Sequence, residues 1–431
     1  MSALLITGAR GQLGEPSDVL IRDGVIAEIG RITDAPSDTA RIDAAGLDLL
    51  PGFVDLHTHL REPGREDAET IASGSAAAAA GGFTAVLAMA NTTPATDTAE
   101  AAELLYDRGR TVGLVDVQPI GAVTKSLAGQ ELAELGLMAR SRARVRIFSD
   151  DGHCVHDARV MRRALEYVKP FDGVISQHAQ DPALAGGAAC CHEGELSGRL
   201  GLPGWPGVAE SVIVARDVQL ARHTGSRVHI AHISTAESVE ILRWAKDRGI
   251  LVTAEVTPHH LALDTELVRN YDPTFKVNPP LRPSEDQEAL RAALADGTID
   301  AVATDHAPHA RHDKEHTFEA AAFGMLGLES AFAVVHDLMV RTGRMTMGDL
   351  SQRMSRNPAA IAGLSDHGCA IVAGAPANLV LVDPDRTITI DASESNSLSR
   401  NNPWHAMSFT GAVHATILRG RLTAIDGKVQ Q

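Results

Sequence analysis

The chain has 431 residues, with 39 Lys and Arg against 55 Asp and Glu, a formal charge of −16. Its 44% hydrophobic and 22% charged residues supply ample core and exclude a disordered chain, while the acid excess argues against nucleic acid or an anionic membrane as main partner. Four cysteines, two of them the neighbours Cys190 and Cys191, make no spaced disulfide framework, so a reducing, cytoplasmic setting is expected.

The opening MSALLITGARGQ lacks the basic stretch and long apolar run of a secretion signal. Leu4 to Gly14 reads like a strand followed by a glycine-rich dinucleotide turn. That motif needs a helix next, whose N-terminus holds the pyrophosphate, and here Glu15-Pro16-Ser17 follows instead. The segment is therefore expected to be a strand and turn. Asp18 to Gly30 holds two β-rich runs around Asp23-Gly24, a hairpin signal because Gly accepts positive φ. Similar runs close the chain at Ala377–Asp383, Ala412–Gly420 and Arg421–Gly427. Neither end can bury a sheet face alone. Residues 1–51 and 366–431 are expected to form one small β-sandwich domain.

Between them, strand-like runs alternate with helical patterns. The runs are Gly52–Leu60, Phe83–Asn91, Val112–Val123, Arg144–Asp151, Val174–Gln180, Arg227–Ser234, Leu251–Leu263 and Ile299–His309. Helical patterns cover Glu100–Arg108, Glu131–Ala139, Asp157–Val168, Glu210–His223, Thr235–Asp247 and Glu285–Ala295. Eight such units over residues 52–365 predict an α/β chain folded as a (β/α)8, TIM-like barrel rather than an open doubly wound sheet. In such a barrel the chemistry sits where strands end and loops begin. The weakly polar run Ala76–Ala90 is too short for the ~20 residues of a membrane span.

Ligand-capable side chains gather at those strand ends. His57 and His59, two apart on a strand, aim to one face, and paired imidazoles suit a divalent transition metal. Asp150 and Asp151 end the fourth run, His178 the fifth, His232 the sixth, and Asp305 with His306 and His309 the eighth. Packing alone gives no reason for that recurrence. Arg61, two past His59, shares its inward direction if the strand continues, and its planar fork suits a carboxylate.

His57-Thr-His59-Leu-Arg61-Glu-Pro-Gly64, Asp150-Asp151-Gly152, Thr257-Pro-His-His260, Lys276-Val-Asn278-Pro-Pro-Leu-Arg282 and Asp305-His-Ala-Pro-His309 resemble, in order, motifs of the longer, type I dihydroorotases of the amidohydrolase superfamily. The resemblance spans nearly the whole chain. It implies a cyclic amidohydrolase that interconverts (S)-dihydroorotate and N-carbamoyl-L-aspartate in pyrimidine biosynthesis. It implies two Zn2+ ions bridged by a carboxylate and a hydroxide. His57, His59 and Asp305 match ligands of the first ion, and His178 and His232 match ligands of the second. Many relatives carry a carboxylated lysine as bridge; the longer dihydroorotases carry an aspartate, which Asp151 matches. Lys125 and Lys169 lie off the fourth strand end, which favours the aspartate.

By the same resemblance Asp305 is catalytic, taking a proton from the hydroxide and returning it to the leaving nitrogen. Arg61, Asn91 and His309 would hold the substrate carboxylate, while Asn278 and the backbone around Phe323 and Gly324 would meet the ring. Ala322 stands where the family usually has proline, and Asn378 where an acid usually opens the returning strand. His229, three before His232, is expected on the opposite strand face as a core residue. His259, His260 and His306 are expected to support ligands rather than bind metal, and Cys190-Cys191-His192 to be a poor chelator. A homodimer and a complex with aspartate carbamoyltransferase are the partners implied. The alternatives are a hydantoinase, dihydropyrimidinase or allantoinase, or a non-catalytic scaffold for the carbamoyltransferase. A scaffold would have lost some of the six metal-ligand positions, and all six are present.

Overall fold

The computed structural model describes residues 3–11, 15–36 and 39–430; the end of the glycine-rich turn, residues 12–14, lies outside them. Strand Ala3–Arg10 pairs antiparallel with Pro16–Arg22, which pairs with Val25–Gly30 across Asp23-Gly24, both at positive φ (50° and 81°). A strand thus stands where a dinucleotide turn needs its helix.

These strands belong to one nine-stranded sheet built from both ends of the chain. Ala3–Arg10 also pairs with Ala40–Asp43 and, at Arg10, with Asp48 of Asp48–Pro51. Asp48–Pro51 continues to the C-terminal strands Leu379–Thr389, Ser408–Leu418, Arg421–Ile425 and Lys428–Val429. The two arms share one apolar core, in which Leu4, Ile6, Val19 and Ile21 pack with Leu379, Leu381 and Ile417. Neither arm has enough apolar area to cover itself, and at ~25 cal/mol per Å2 the shared burial drives the pairing of the two chain ends.

Eight parallel strands form the barrel: β1 (Phe53–Thr58), β2 (Phe83–Ala88), β3 (Asp116–Pro119), β4 (Ile147–Phe148), β5 (Val174–Gln177), β6 (Arg227–Ile230), β7 (Val252–Val256) and β8 (Ala301–Val302). β1–β2–β3 pair in order, as do β4–β5–β6–β7–β8. Two parallel bridges close the ring, Gly121 to Phe148 and Thr58 to His306. The expected barrel is realised, with a helix after each of the first seven strands: Ile71–Ala80, Ala99–Val112, Leu135–Arg140, Ala158–Val168, Val208–Thr224, Ala236–Lys246 and Ser284–Asp296.

Alternation sorts the barrel's side chains. Val228, Ile230, Val252, Ala254 and Val256 pack outward on the helices, whereas Val54, Leu56, Leu87, Ile147 and Ala301 fill the interior. Residues Ala359, Ile361 and Ala362 of helix Asn357–Ala362 plug its lower end.

One expected helix is shorter than its pattern. The Glu131–Ala139 stretch is helical only over Leu135–Arg140, because Glu131 and Ala133 are drawn into a loop by main-chain bonds with Lys125 and Val123, each 2.9 Å. No helix among the described residues is long and apolar enough to cross a membrane.

Candidate metal centre

The strand ends deliver six side chains to one buried cluster. His57 and His59 leave β1, Asp151 follows β4, His178 follows β5, His232 follows β6, and Asp305 follows β8. Three sets of ligand atoms each lie within 4.8 Å of one another: His57, His59, Asp151; Asp151, His178, His232; and His57, His232, Asp305. Asp151 is shared by the first two sets. Its Oδ1 lies 3.2 Å from His57 Nε2, 3.3 Å from His178 Nδ1 and 3.4 Å from His232 Nε2. Its Oδ2 lies 3.4 Å from His59 Nε2, which is 3.1 Å from Asp305 Oδ1.

His57 Nε2 and Asp151 Oδ1 are buried and make no hydrogen bond. Buried polar atoms are almost always paired, so two facing orphans within imidazole and carboxylate groups fit a cation bound between them. The electrostatics agree. Burial opposes charge on Asp151, yet His57 and the contacts of His178 and His232 hold its carboxyl well below the usual range. Burial likewise opposes protonation of His57, but Asp151 and Asp305 push its pKa well up. The carboxylates demand positive charge at this point.

Two of the six residues sit in the left-handed region, His232 at φ 29° and Asp305 at φ 47°, as does neighbouring Arg61 at φ 60°. Such strain on non-glycine residues clusters at functional sites, where surrounding structure holds it. Here it turns each side chain back over the barrel mouth just after its strand.

A supporting layer was only partly foreseen. Glu255, on β7, is buried and meets His57 Nδ1 at 2.9 Å through Oε1. Its Oε2 meets His229 Nε2 at 3.1 Å, and His229 Nδ1 meets Thr253 Oγ1 at 2.8 Å. Burial works against its charge, but the bonds from His229 and His57 keep the Glu255 carboxyl well below its ordinary range. The acid within the apolar run Val252–Val256 was the available signal.

His229 is buried as expected but faces the barrel interior below His57, not the opposite side from His232. The two-residue period stops where β6 ends at Ile230, and the positive φ of His232 resets direction. Asp55 was also missed. Its carboxylate accepts from the N–H groups of His57 and Thr304 at 3.1 and 3.0 Å, tying β1 to the turn after β8, and burial raises its pKa to about 6.

The remaining expected residues lie around this centre. Asn91 Oδ1 accepts from His59 Nδ1 at 3.0 Å, and Asn91 Nδ2 donates to the Asp151 carbonyl at 3.3 Å. Arg61 donates through Nε to the Pro308 carbonyl at 3.0 Å, and burial lowers its pKa to about 10. His309 Nε2 donates to the Phe323 carbonyl at 2.6 Å; burial, Arg61 and Lys314 lower its pKa to about 3, so the ring is neutral. Asn278 Nδ2 donates to Gln180 Oε1 at 3.1 Å, while Asn278 Oδ1 is buried without a partner. Gln180 Oε1 also meets His178 Nε2 at 2.8 Å, which links a metal-ligand candidate to the Asn278 loop. Gly324 has φ 134°, and a Cβ there would stand 2.7 Å from Ala307 Cβ and 2.9 Å from His309 Nε2.

The histidines expected to support the ligands make no side-chain hydrogen bond to any of the six candidates, and Asp150 and the cysteines lie outside the cluster. Asp150 accepts from the N–H groups of Val123 and Thr124 at 2.8 and 2.9 Å. His260 bonds Thr257 and the Pro279 carbonyl, His306 bonds Glu69, and His259 Nε2 is buried without a partner. Cys190 and Cys191 are free and buried, with burial raising both thiols.

Comparison with known proteins identifies the family and the fold. Residues 46–238 match the family model described as Dihydro-orotase-like. The chain is 56% identical over 430 residues to a dihydroorotase of Streptomyces coelicolor, covering 100% of both chains. It is 56% identical to one of Mycobacterium tuberculosis, covering 99% of this chain and 100% of that one. Among solved structures, an L-hydantoinase of Arthrobacter aurescens superposes with TM-score 0.88 at 26% identity, covering 100% of this chain and 98% of that one. A dihydropyrimidinase of Brevibacillus agri shares the fold at TM-score 0.85 and 23% identity, covering 99% of this chain and 96% of that one. By its full-length identity to these relatives, the chain belongs to the dihydroorotase family of amidohydrolases.

Proposed function

We propose that this chain is a dihydroorotase, opening the cyclic amide of (S)-dihydroorotate to N-carbamoyl-L-aspartate and closing it in reverse for pyrimidine biosynthesis. The observation that carries this reading is the 56% identity over the whole chain to proteins named dihydroorotase. The orphaned buried pair of His57 Nε2 and Asp151 Oδ1 supports a metal-dependent route.

His57, His59 and Asp305 would hold one Zn2+, His178 and His232 a second, and Asp151 would bridge them. Bound metal supplies a polarised carbonyl and a water that ionises near neutral pH. Asp305, beside His59 at the rim, would accept a proton from the water whose oxygen adds to the ring carbonyl carbon and deliver it to the leaving nitrogen as the C–N bond breaks. Glu255 holds His57 by Nδ1, so that Nε2 faces the centre.

Arg61 offers its guanidinium to the substrate carboxylate, with Asn91 and neutral His309 beside it. The unpartnered Asn278 Oδ1 accepts a ring N–H, and the Phe323–Gly324 turn borders the ring. The family resemblance also supports a homodimer and an aspartate carbamoyltransferase complex, which light scattering of the chain alone and mixed with that partner would reveal.

The likeness to L-hydantoinase favours a second reading, hydrolysis of an uncharged five- or six-membered ring. Metal analysis with turnover of dihydroorotate, hydantoin and allantoin separates the two. Zinc near two per chain and dihydroorotate as the only good substrate are expected. Preference for hydantoin or allantoin would overturn the assignment.

A further inference from the structure

The segment between the last long strands, Leu379–Thr389 and Ser408–Leu418, leaves the terminal sheet and reaches the barrel mouth. Ser397 bonds Glu69, Ser399 donates to the Ala68 carbonyl at 2.7 Å, and Trp404 is buried beside Val277, Leu281 and Met325. At its centre stands Asn401, 7% exposed. Asn401 Oδ1 accepts from the His309 N–H at 3.2 Å, and Nδ2 donates to the carbonyls of Ala307 and Gly324 at 2.9 and 3.1 Å. The Asn401 main-chain carbonyl accepts from the Leu326 N–H at 3.0 Å. One N–H partner and two carbonyl partners leave a single sensible orientation for the amide, and both its donors are used.

These bonds close a small ring. Asn401 holds His309 and Gly324, and His309 Nε2 donates to the Phe323 carbonyl one residue before Gly324. Pro308, inside the held segment, accepts from Arg61 Nε at 3.0 Å. Lys314 adds a second donor to the Gly324 carbonyl at 3.0 Å and reaches the Ala322 carbonyl at 2.9 Å. The strand-eight loop, the Phe323–Gly324 turn and the Arg61 fork are therefore set against one another through a residue from the far end of the chain.

We propose that Asn401 is a positioning residue for substrate recognition: its carboxamide sets the spacing between the His309 loop and the Phe323–Gly324 turn, and so the pocket beside Arg61 that receives a carboxylate-bearing cyclic amide. Its hydrogen bonds go to His309, Ala307, Gly324 and Leu326, none of them a metal-ligand candidate. The proposal rests on the dihydroorotase reading, which wild-type turnover of dihydroorotate against hydantoin decides separately.

The test compares full-length, metal-loaded Asn401→Asp, Asn401→Ala and Lys314→Met with wild type. Asn401→Asp keeps the shape and the acceptor for His309 but turns an oxygen toward two carbonyls. Both Asn401 variants should raise KM for dihydroorotate about tenfold or more, with kcat within about threefold and wild-type metal content. Lys314→Met should raise KM a few-fold in the same pattern. Thr416→Val, which removes a buried bond from the terminal sheet to the Ala79 carbonyl of helix Ile71–Ala80, is the structural control and should leave KM unchanged. Wild-type KM in the Asn401 variants, or parallel loss of kcat and metal, would overturn the assignment. If neither Asn401 variant folds, an unchanged KM in Lys314→Met overturns it equally.

Discussion

His57 Nε2 and Asp151 Oδ1 face each other at 3.2 Å in the barrel mouth, and neither makes a hydrogen bond. His57 is fixed from behind by Glu255, and Asp151 is shared by two sets of imidazoles, so the pair is held for a cation rather than for itself.

Removing the shared carboxylate should therefore cost metal before it costs fold. Asp151→Ala is expected to lose at least half of the bound metal and about 1,000-fold or more in turnover. Its circular dichroism should match wild type. Full metal occupancy in the variant, read by elemental analysis, would contradict a bridging role.

Glu255→Gln keeps size but weakens the bond that fixes the His57 tautomer. Metal affinity should fall about 10–100-fold, as is usual when the partner of a ligating imidazole is lost. Competition with a chromophoric chelator reads this directly, without reference to activity.

Under the proposed function, Arg61 is expected to select for charge. Arg61→Met should lower kcat/KM for dihydroorotate by about 100-fold or more, since a desolvated charge-assisted contact is worth ~2–5 kcal/mol. Slow hydrolysis of an uncharged ring should change far less. Equal losses on both substrates would remove Arg61 from carboxylate recognition.

A pH-dependent clamp joins barrel and terminal sheet. Asp116 on β3 accepts from His367 Nε2 at 2.9 Å and Arg419 Nη1 at 3.0 Å. Burial would raise its pKa, but these two partners outweigh burial and lower it. A carboxyl lowered on folding stabilises above its unfolded pKa of ~3.9, and that contribution fades as pH falls through the folded value. Asp116→Asn should cost about 1 kcal/mol at pH 7, modest because Arg419 is half exposed. The gap to wild type in urea melts should close as pH drops below about 4. A constant gap from pH 7 to 3.5 would show that charge is not involved.

Much of the molecule was legible along the chain. The eight barrel strands follow from apolar runs of strand length, and the helices between them from spacing and composition, because both are local patterns. The six strand-end ligand candidates were readable because parallel strands of a barrel all end on one face. Where local rules stop, reading stopped too: the alternation that misplaced His229 ends with β6, and the loop after β3 overrode a helical pattern at Glu131–Ala133.

What the amino-acid order determined by itself is thus the barrel, the hairpin at Asp23-Gly24 and the inventory of imidazoles and carboxylates. Folding in three dimensions decided which distant groups meet. Glu255 finds His57 across 198 residues, Thr58 closes the ring on His306, and Asn401 returns 94 residues to Ala307. No periodicity encodes such pairings, since each depends on burial that exists only once the ring has closed and its buried polar atoms must find partners.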